Sequence, residues 1–553
     1  MENIILEILK NKPKIEKDLL SLKRKVAKKL GQPLLRNSEL RREYLRLLAE
    51  GKIKISMVLE KLLRKRAIRT LSGIAPVAVL TKPFPCPGKC AYCPHEKNVP
   101  TSYLSNEPAV MRAIRNKYNP YDQIRGRLAV LEANGHKPEK IELIVIGGTW
   151  SVLPRAYKVW FIKECFRAAN EFELRIKNYE LRIKKDQKIN ELRKELAAEQ
   201  NINEKAKYKI IGVTLETRPD CIDEKELVEM RELGATRVEI GVQATADRIL
   251  KINQRGHGVA EIARATKLLK DFGFKVTYHL MPGLPGATAK KDLAMFKQLF
   301  SDERFQPDQI KFYPTVVTRG SLLYKWWRAG KYKPYSDKVL QKLIVECKKI
   351  VPPYVRIIRL IRDIPGESIE AGNIITNLRQ VMQQRSVVCR CIRCRECREE
   401  KFSARDLKLN ILKYPASAGV EYFISFDSLD KKILYGFCRL RLPQIKNKKV
   451  YPRQISLGLK ELRIKDKNFL FLNKAAIVRE LHIYGELVPV GDKKKTQHAG
   501  LGKLLLAKAE KIARQNDFRE IAVISGIGAR GYYKKLGYKN VSGYMIKKMG
   551  AEK

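Results

Sequence analysis

Three cysteines stand in one short stretch, Pro85-Cys86-Pro87-Gly88-Lys89-Cys90-Ala91-Tyr92-Cys93-Pro94. The spacing Cys-x-x-x-Cys-x-x-Cys brings three thiolates to one side of a loop that the prolines and glycine keep out of helix. Thiolates are the ligands that iron–sulfur clusters use. A 4Fe–4S cluster held by three of them keeps one iron for a small molecule, and the amino and carboxylate groups of S-adenosylmethionine suit that iron. The competing reading is a zinc knuckle or a set of free thiols. Zinc motifs usually pair Cys-x-x-Cys units and close with a fourth ligand, which argues for the cluster.

A second group, Cys389, Cys391, Cys394 and Cys397, puts four thiols within nine residues among arginines that favour the thiolate. Tetrahedral zinc is the expectation here and a second iron–sulfur cluster the rival. Further on, Gln497-His498-Ala499-Gly500-Leu501-Gly502 opens an amphipathic helix, Lys503 to Asn516. Backbone N–H groups and the helix dipole make such a turn an anion site. Its spacing matches the pyrophosphate loop of GNAT acetyltransferases. Tyr532-Tyr533, in Gly531-Tyr532-Tyr533-Lys534-Lys535-Leu536-Gly537-Tyr538, resembles that family's C-terminal motif, where a tyrosine can protonate a leaving thiolate.

Strands alternating with helices must position the first group. Pro76–Leu80 runs straight into the cysteine loop. Ile141–Ile146 ends in Gly147-Gly148-Thr149, Tyr208–Thr214 leads to Glu216-Thr217-Arg218-Pro219, and Arg237–Val242 leads to Gln243. Lys275–Leu280 leads to Pro282, and Gln309–Tyr313 leads to Pro314. Repeated strand–helix units predict a parallel α/β barrel or partial barrel, whose chemistry sits at the C-terminal strand ends. The cysteine loop falls there, with Glu216, Arg218, Gln243 and His279.

The predicted modules are a basic helical arm over residues 1–70, a barrel over 71–385 with a charged helical insertion at 170–205, a cysteine clip at 386–400 and an α+β domain over 401–553. Tyr422–Phe426 and Lys432–Cys438 read as an antiparallel pair, and Ala475–Tyr484 as a long strand.

The chain of 553 residues carries a net charge of +53, which calls for a polyanionic partner, most simply nucleic acid. Its first 70 residues hold 20 lysines and arginines against 8 acids. No apolar run is long enough to span a membrane. The N-terminus lacks a secretory pattern, and eleven cysteines, mostly clustered, fit a reducing cytoplasm.

A radical-SAM barrel, a cysteine clip and a GNAT domain in this order resemble the catalytic subunit of Elongator, a family of tRNA wobble-uridine acetyltransferases. The resemblance runs from about Arg69 to Lys548. It rests on Thr81-Lys82-Pro83-Phe84-Pro85-Cys86, Glu216-Thr217-Arg218-Pro219-Asp220, Arg255-Gly256-His257-Gly258, His279-Leu280-Met281-Pro282-Gly283-Leu284-Pro285-Gly286 and Arg479-Glu480-Leu481-His482-Ile483-Tyr484-Gly485. It implies that a 5′-deoxyadenosyl radical takes hydrogen from the acetyl methyl of acetyl-CoA. The carbon radical then adds to C5 of the wobble uridine in a tRNA anticodon, and thioester hydrolysis leaves 5-carboxymethyluridine. By position, Cys86, Cys90 and Cys93 would hold the cluster, and Gly147 and Gly148, with Glu216 and Gln243, would line S-adenosylmethionine. Lys140, Glu480, Leu481, His482, Ile483, Gln497, Gly500, Leu501, Gly502, Lys503 and Tyr533 would contact acetyl-CoA. Lys311, Tyr313 and Tyr532 are further catalytic candidates. Ala499 and Leu501 depart from the arginine and tyrosine common in the family's loop. The single chain resembles members that act without other Elongator subunits, alone or as a homodimer. A lysine acetyltransferase with a structural cluster is the alternative, and the cationic surface argues against it by repelling basic tails.

Overall fold

The computed structural model describes residues 2–29, 31, 33–64, 73–174, 188–375, 377–384, 387–398, 407–443, 463–484 and 500–550. Seven strands form the first sheet: β1 (Ala75–Leu80), β2 (Lys140–Ile146), β3 (Lys209–Thr217), β4 (Ala235–Gln243), β5 (Lys275–Leu280), β6 (Gln309–Phe312) and β7 (Arg356–Arg359). They lie side by side in chain order, every pair parallel, with β1 and β7 at the two edges. The first six match the strands expected from the sequence. β7 escaped because the charges of Arg356 and Arg359 bracket its two isoleucines and leave no clear apolar run. Alternate positions of each strand face the helices. Val238, Ile240, Val276, Tyr278 and Ile310 are fully buried there, which fixes the register against one-residue slips.

The second sheet comprises β8 (Leu407–Ala416), β9 (Gly419–Ser428), β10 (Leu434–Pro443), β11 (Ala476–Ile483), β12 (Glu520–Val523), β13 (Lys539–Val541) and β14 (Tyr544–Lys548), in the order 13-14-12-11-10-9-8. All its pairs are antiparallel except β11 with β12. The helix Leu501–Gln515 packs Leu505, Leu506, Ala509, Ile512 and Ala513 onto this sheet. Its apolar residues recur at the helical period, so one face is buried and Lys503, Lys508 and Lys511 stay on the other.

Four helices, Glu2–Lys10, Glu16–Lys29, Asn37–Ala49 and Met57–Leu63, form the N-terminal module around Ile5, Leu40, Tyr44, Leu47 and Leu63. Arg41 donates to the carbonyl of Glu132 at 2.8 Å and docks this module on the helix Pro120–Ala133. Within the 170–205 insertion, residues 175–187 lie outside the described residues, and the helix Ile189–Asn203 packs on Arg155–Asn170 through Leu192 and Leu196. Among the described residues, no helix is long and apolar enough to cross a membrane.

The second sheet docks on the N-terminal ends of the barrel strands. A Cβ on Gly526 would stand 1.9 Å from the carbonyl oxygen of Ile211, and one on Gly273 would stand 2.9 Å from Ile477, so glycine permits backbone-close packing at both points. Arg479 of β11 donates to both carboxylate oxygens of Asp308, just before β6, at 2.8 and 2.5 Å. It also meets Glu421 of β9 at 3.1 Å. Arg441 of β10 bonds Asp271 at 2.6 Å, and Arg439 bonds Glu480 at 2.9 Å. These charges are buried, so their desolvation cost is offset only because each has a partner.

Candidate active site

The cysteine loop sits at the opposite, C-terminal end of the barrel. It is tied down by backbone bonds from Ala91 N to Asn253 O at 3.1 Å and from Leu323 N to Ala91 O at 2.7 Å. Cys90 is buried, and Cys86 and Cys93 are half-buried. A hydrogen bond from Cys93 and the charges of Arg255 and Arg218 lower the pKa of the Cys90 thiol against its burial. The Cys86 sulfur lies 3.6 Å from Thr149 Oγ1.

Beside this loop the end of β2 turns through Gly147 (φ 135°) and Gly148 (φ 95°). A Cβ on Gly147 would stand 2.1 Å from Thr81 Oγ1, so the backbone there is open to close approach. Thr81 Oγ1 and Gln243 Oε1 are buried with no hydrogen-bond partner, and Gln243 has φ 67°. Orphaned polar atoms and a left-handed non-glycine residue are costly unless a ligand uses them. Three thiols, a glycine turn and two orphan oxygens fit an iron–sulfur cluster with a small polar molecule beside it.

The barrel lumen is polar from end to end. Layers of branched apolar residues usually fill such an interior. Here Arg237 bonds Glu142 at 2.9 Å and Thr214 at 2.8 Å, and Gln309 accepts from Thr277 at 3.0 Å. One layer higher, Glu239 takes His279 Nε2 at 2.8 Å and the Lys311 ammonium. His279 Nδ1 faces Glu216 at 3.5 Å, and Glu216 accepts from Tyr103 at 2.8 Å. Tyr313 meets the His279 ring edge-on at 5.1 Å. Against burial, Lys311 and His279 hold Glu239 well below the usual carboxylate range, and Glu239 in turn keeps Lys311 protonated. Glu216, Lys311, Tyr313 and His279 are thus brought together near the cysteine loop. Glu239, Tyr103 and Arg237 join them without having been singled out. The signal was present: Arg237 and Glu239, Lys275, Thr277 and His279, and Gln309, Lys311 and Tyr313 recur at every second position, the face of a strand that points inward.

The acetyl-CoA candidates lie at the other end of the lumen. β11 and β12 pair only from Ala476 to Val478, so the strands splay and Glu480, Leu481, His482 and Ile483 border the gap. Lys275 and Arg439 hold Glu480 down to about 2, and burial takes the His482 imidazole down to about 4, so it is neutral. Gly500 caps the helix in the left-handed region (φ 74°), and the N–H groups of Leu501 and Gly502, in the first turn, have no partner within the helix. A Cβ on Gly502 would be 2.9 Å from the Tyr532 hydroxyl and 3.6 Å from Ile483, so these three converge. Leu501 is buried under the turn and Lys503 is exposed. Tyr533 is buried in the core against Tyr538, whereas Tyr532 presents its hydroxyl to the helix start. Lys140, at the start of β2, pairs with Lys209, whose Cβ packs against Gly528, and burial lowers its pKa. Gln497 and Ala499 lie outside the described residues.

The second cysteine group is brought together in part. The sulfurs of Cys389, Cys391 and Cys394 lie within 4.8 Å of one another. Hydrogen bonds from Cys389 and Cys394 hold the Cys391 thiol well below its usual range. Cys397 falls outside this set, because its backbone is drawn to β10 by a bond to Leu434 O at 2.9 Å.

A parallel half-barrel with a three-cysteine loop, joined to a splayed α+β sheet with a glycine-capped helix, defines a radical-SAM protein fused to a GNAT domain. Residues 85–299 match the Radical SAM superfamily, 307–386 the Radical_SAM C-terminal domain and 488–551 the acetyltransferase (GNAT) domain. The chain is 42% identical to the tRNA uridine(34) acetyltransferase of Dehalococcoides mccartyi, covering 87% of this chain and 99% of that one. It is 36% identical to human Elongator complex protein 3, over 89% and 87%. A solved structure of archaeal Methanocaldococcus infernus Elp3 with an N-terminal deletion (1–46) superposes with TM-score 0.69 at 36% identity, covering 86% of this chain and 99% of that one. The chain belongs to the family of tRNA uridine(34) acetyltransferases and Elongator complex protein 3.

Proposed function

We propose that this protein modifies C5 of the wobble uridine of tRNA, using S-adenosylmethionine and acetyl-CoA. The observation that carries the reading is the polar lumen: a thiol loop stands at one end, an acetyl-CoA-binding fold covers the other, and ionised side chains line the way between. Two separate enzymes that happened to be fused would not need it.

Cys86, Cys90 and Cys93 would hold a 4Fe–4S cluster, with Gly147, Gly148, Thr81 and Gln243 around S-adenosylmethionine. When bound, the cluster supplies the electron that splits S-adenosylmethionine and so provides the 5′-deoxyadenosyl radical. The protein's own residues bind and orient. The helix start at Gly500–Gly502 takes the coenzyme pyrophosphate through its free N–H groups and dipole. The splayed edge Glu480–Ile483 takes the pantetheine, and Tyr532 stands beside both. Lys311, fixed as a cation on Glu239, places a positive charge where a thioester or uracil carbonyl oxygen would lie. The N-terminal module and the +53 charge hold the tRNA phosphates. We assign Cys389, Cys391 and Cys394 to a structural zinc between the barrel and β10, and we place the enzyme in the cytoplasm as a single chain needing no other subunit.

Nucleoside mass spectrometry tests the reading after anaerobic incubation of the reconstituted protein with tRNA, acetyl-CoA, S-adenosylmethionine and a reductant. A carboxymethyl group on uridine, dependent on all three substrates, is the expected product. Acetylated protein lysines with unmodified tRNA would overturn it.

A further inference from the structure

We propose that Arg255, backed by Arg218, sets the electron affinity of the cluster site by donating hydrogen bonds and positive charge to one ligand sulfur, Cys90. Both are positioning residues, and the inference rests on the assignment of the cluster to Cys86, Cys90 and Cys93.

Arg255 Nη1 lies 3.1 Å from Cys90 Sγ, and its Nη2 donates to the carbonyl of Gly241 at 2.5 Å. Its Nε is buried without a partner. Among the described residues, no carboxylate lies within ion-pair distance of this guanidinium. A buried cation without an anion is costly, and the Cys90 sulfur is the acceptor the fold sets against this one. Arg218 stands behind, with Nη1 3.7 Å from the same sulfur. It differs in being anchored, to Asp220 at 2.8 Å and to the carbonyl of Arg255 at 2.8 Å.

Two glycines make room for the pair. A Cβ on Gly88, inside the cysteine loop, would stand 2.2 Å from Arg218 Nη1. A Cβ on Gly241 would stand 2.5 Å from Arg255 Nη2. Gly241 occupies an inward position of β4, two residues after Glu239, so the strand gives up a lumen side chain where the guanidinium passes. Hydrogen bonds to cluster sulfurs and local charge are what tune iron–sulfur potentials. Positive charge beside a ligand sulfur favours the reduced, more negative state.

The test is the midpoint of cluster reduction, followed by electron paramagnetic resonance in anaerobically reconstituted full-length protein. Arg255→Gln should take up iron and show a more negative midpoint, with reductive cleavage of S-adenosylmethionine slowed about 10- to 100-fold. Arg255→Lys, which keeps charge but loses the fork, and Arg218→Gln should shift less in the same direction. If Arg255→Gln holds no cluster, the midpoint of Arg218→Gln decides by the same reading. An unchanged midpoint in a fully loaded variant would overturn the inference, as would a raised KM for S-adenosylmethionine without a change of midpoint. Failure of the cluster assignment itself would look different: Cys90→Ser would keep the wild-type iron content and spectrum.

Discussion

At the N-terminal end of the barrel, Lys270, Arg439, Arg441 and Arg479 face Asp271, Asp308, Glu421 and Glu480, and each has an opposite charge within 4.0 Å. At the C-terminal end, Thr81 Oγ1, Gln243 Oε1 and Arg255 Nε are buried with no hydrogen-bond partner. Lys270 Nζ and Arg439 Nη1 at the N-terminal end also lack a hydrogen-bond partner, yet every charge of that set is offset by an opposite charge, and the C-terminal set is not closed in this way. The closed set is a joint that holds two domains in register. The open set is a site whose missing partners belong to a ligand. Burial does not distinguish these cases; the presence of an opposite charge beside each ionised group does.

Breaking the joint should have the largest effect on stability. Arg479→Met leaves Asp308 and Glu421 buried against fewer cations, and removing one partner of such a pair costs about 3–5 kcal/mol. Denaturant unfolding should show that loss, with the helical and tryptophan signals separating as the domains uncouple. Acid should act in the same direction. Arg479 holds Asp308 below its usual range, and Lys275 and Arg439 hold Glu480 at about 2. Such carboxylates bind fewer protons folded than unfolded. Their contribution is therefore full above about pH 4.5 and is lost as pH falls toward the folded values. A melting temperature indifferent to pH over that span would contradict the pairing.

Breaking the open end should spare stability and remove chemistry. Cys90→Ser should lose the iron–sulfur absorbance and all uridine modification while costing less stability than Arg479→Met, because serine nearly keeps the side-chain shape in the core and beside Arg255. Between the two ends, Lys311→Met should lower the nucleoside yield about 100-fold and leave acetyl-CoA binding intact, read by calorimetry. A smaller effect separates the two tyrosines. Tyr532→Phe removes the hydroxyl that the helix start offers to the coenzyme, and losing that one hydrogen bond should cost about 1 kcal/mol or about fivefold in acetyl-CoA affinity. Tyr533→Phe should leave affinity unchanged, and a reversed ranking would place the coenzyme on the wrong side of that helix.

Much of this was legible in the chain. The cysteine loop is short-range chemistry, and the strand-then-turn pattern placed it at the correct end of the barrel. The glycine cap of the helix was equally local: Gly500 stands at its start, although Gln497 lies beyond what the structure describes. The burial of Tyr533 was not legible, because two adjacent tyrosines differ only in which side of a short helix meets the core. The joint was invisible for a related reason: Arg479 and Asp308 are 171 positions apart, and nothing local says that they meet. The lumen was half legible. Period-two charges in buried strands announce an inward polar face, but β7 was too short to declare itself. The fourth thiol, Cys397, fits the spacing of a metal motif, yet it is not among the three sulfurs that lie within 4.8 Å of one another.

In the proposed reaction one acetyl group is worked on from both ends of one lumen. The most direct measurement uses acetyl-CoA deuterated at the acetyl methyl, with tRNA and S-adenosylmethionine, and reads the mass of the 5′-deoxyadenosine released. One deuterium should appear in that 5′-deoxyadenosine, and the carboxymethyl group on uridine should have lost it. Unlabelled 5′-deoxyadenosine, formed in step with modified tRNA, would show that the radical takes its hydrogen elsewhere and that the two ends do not share a substrate.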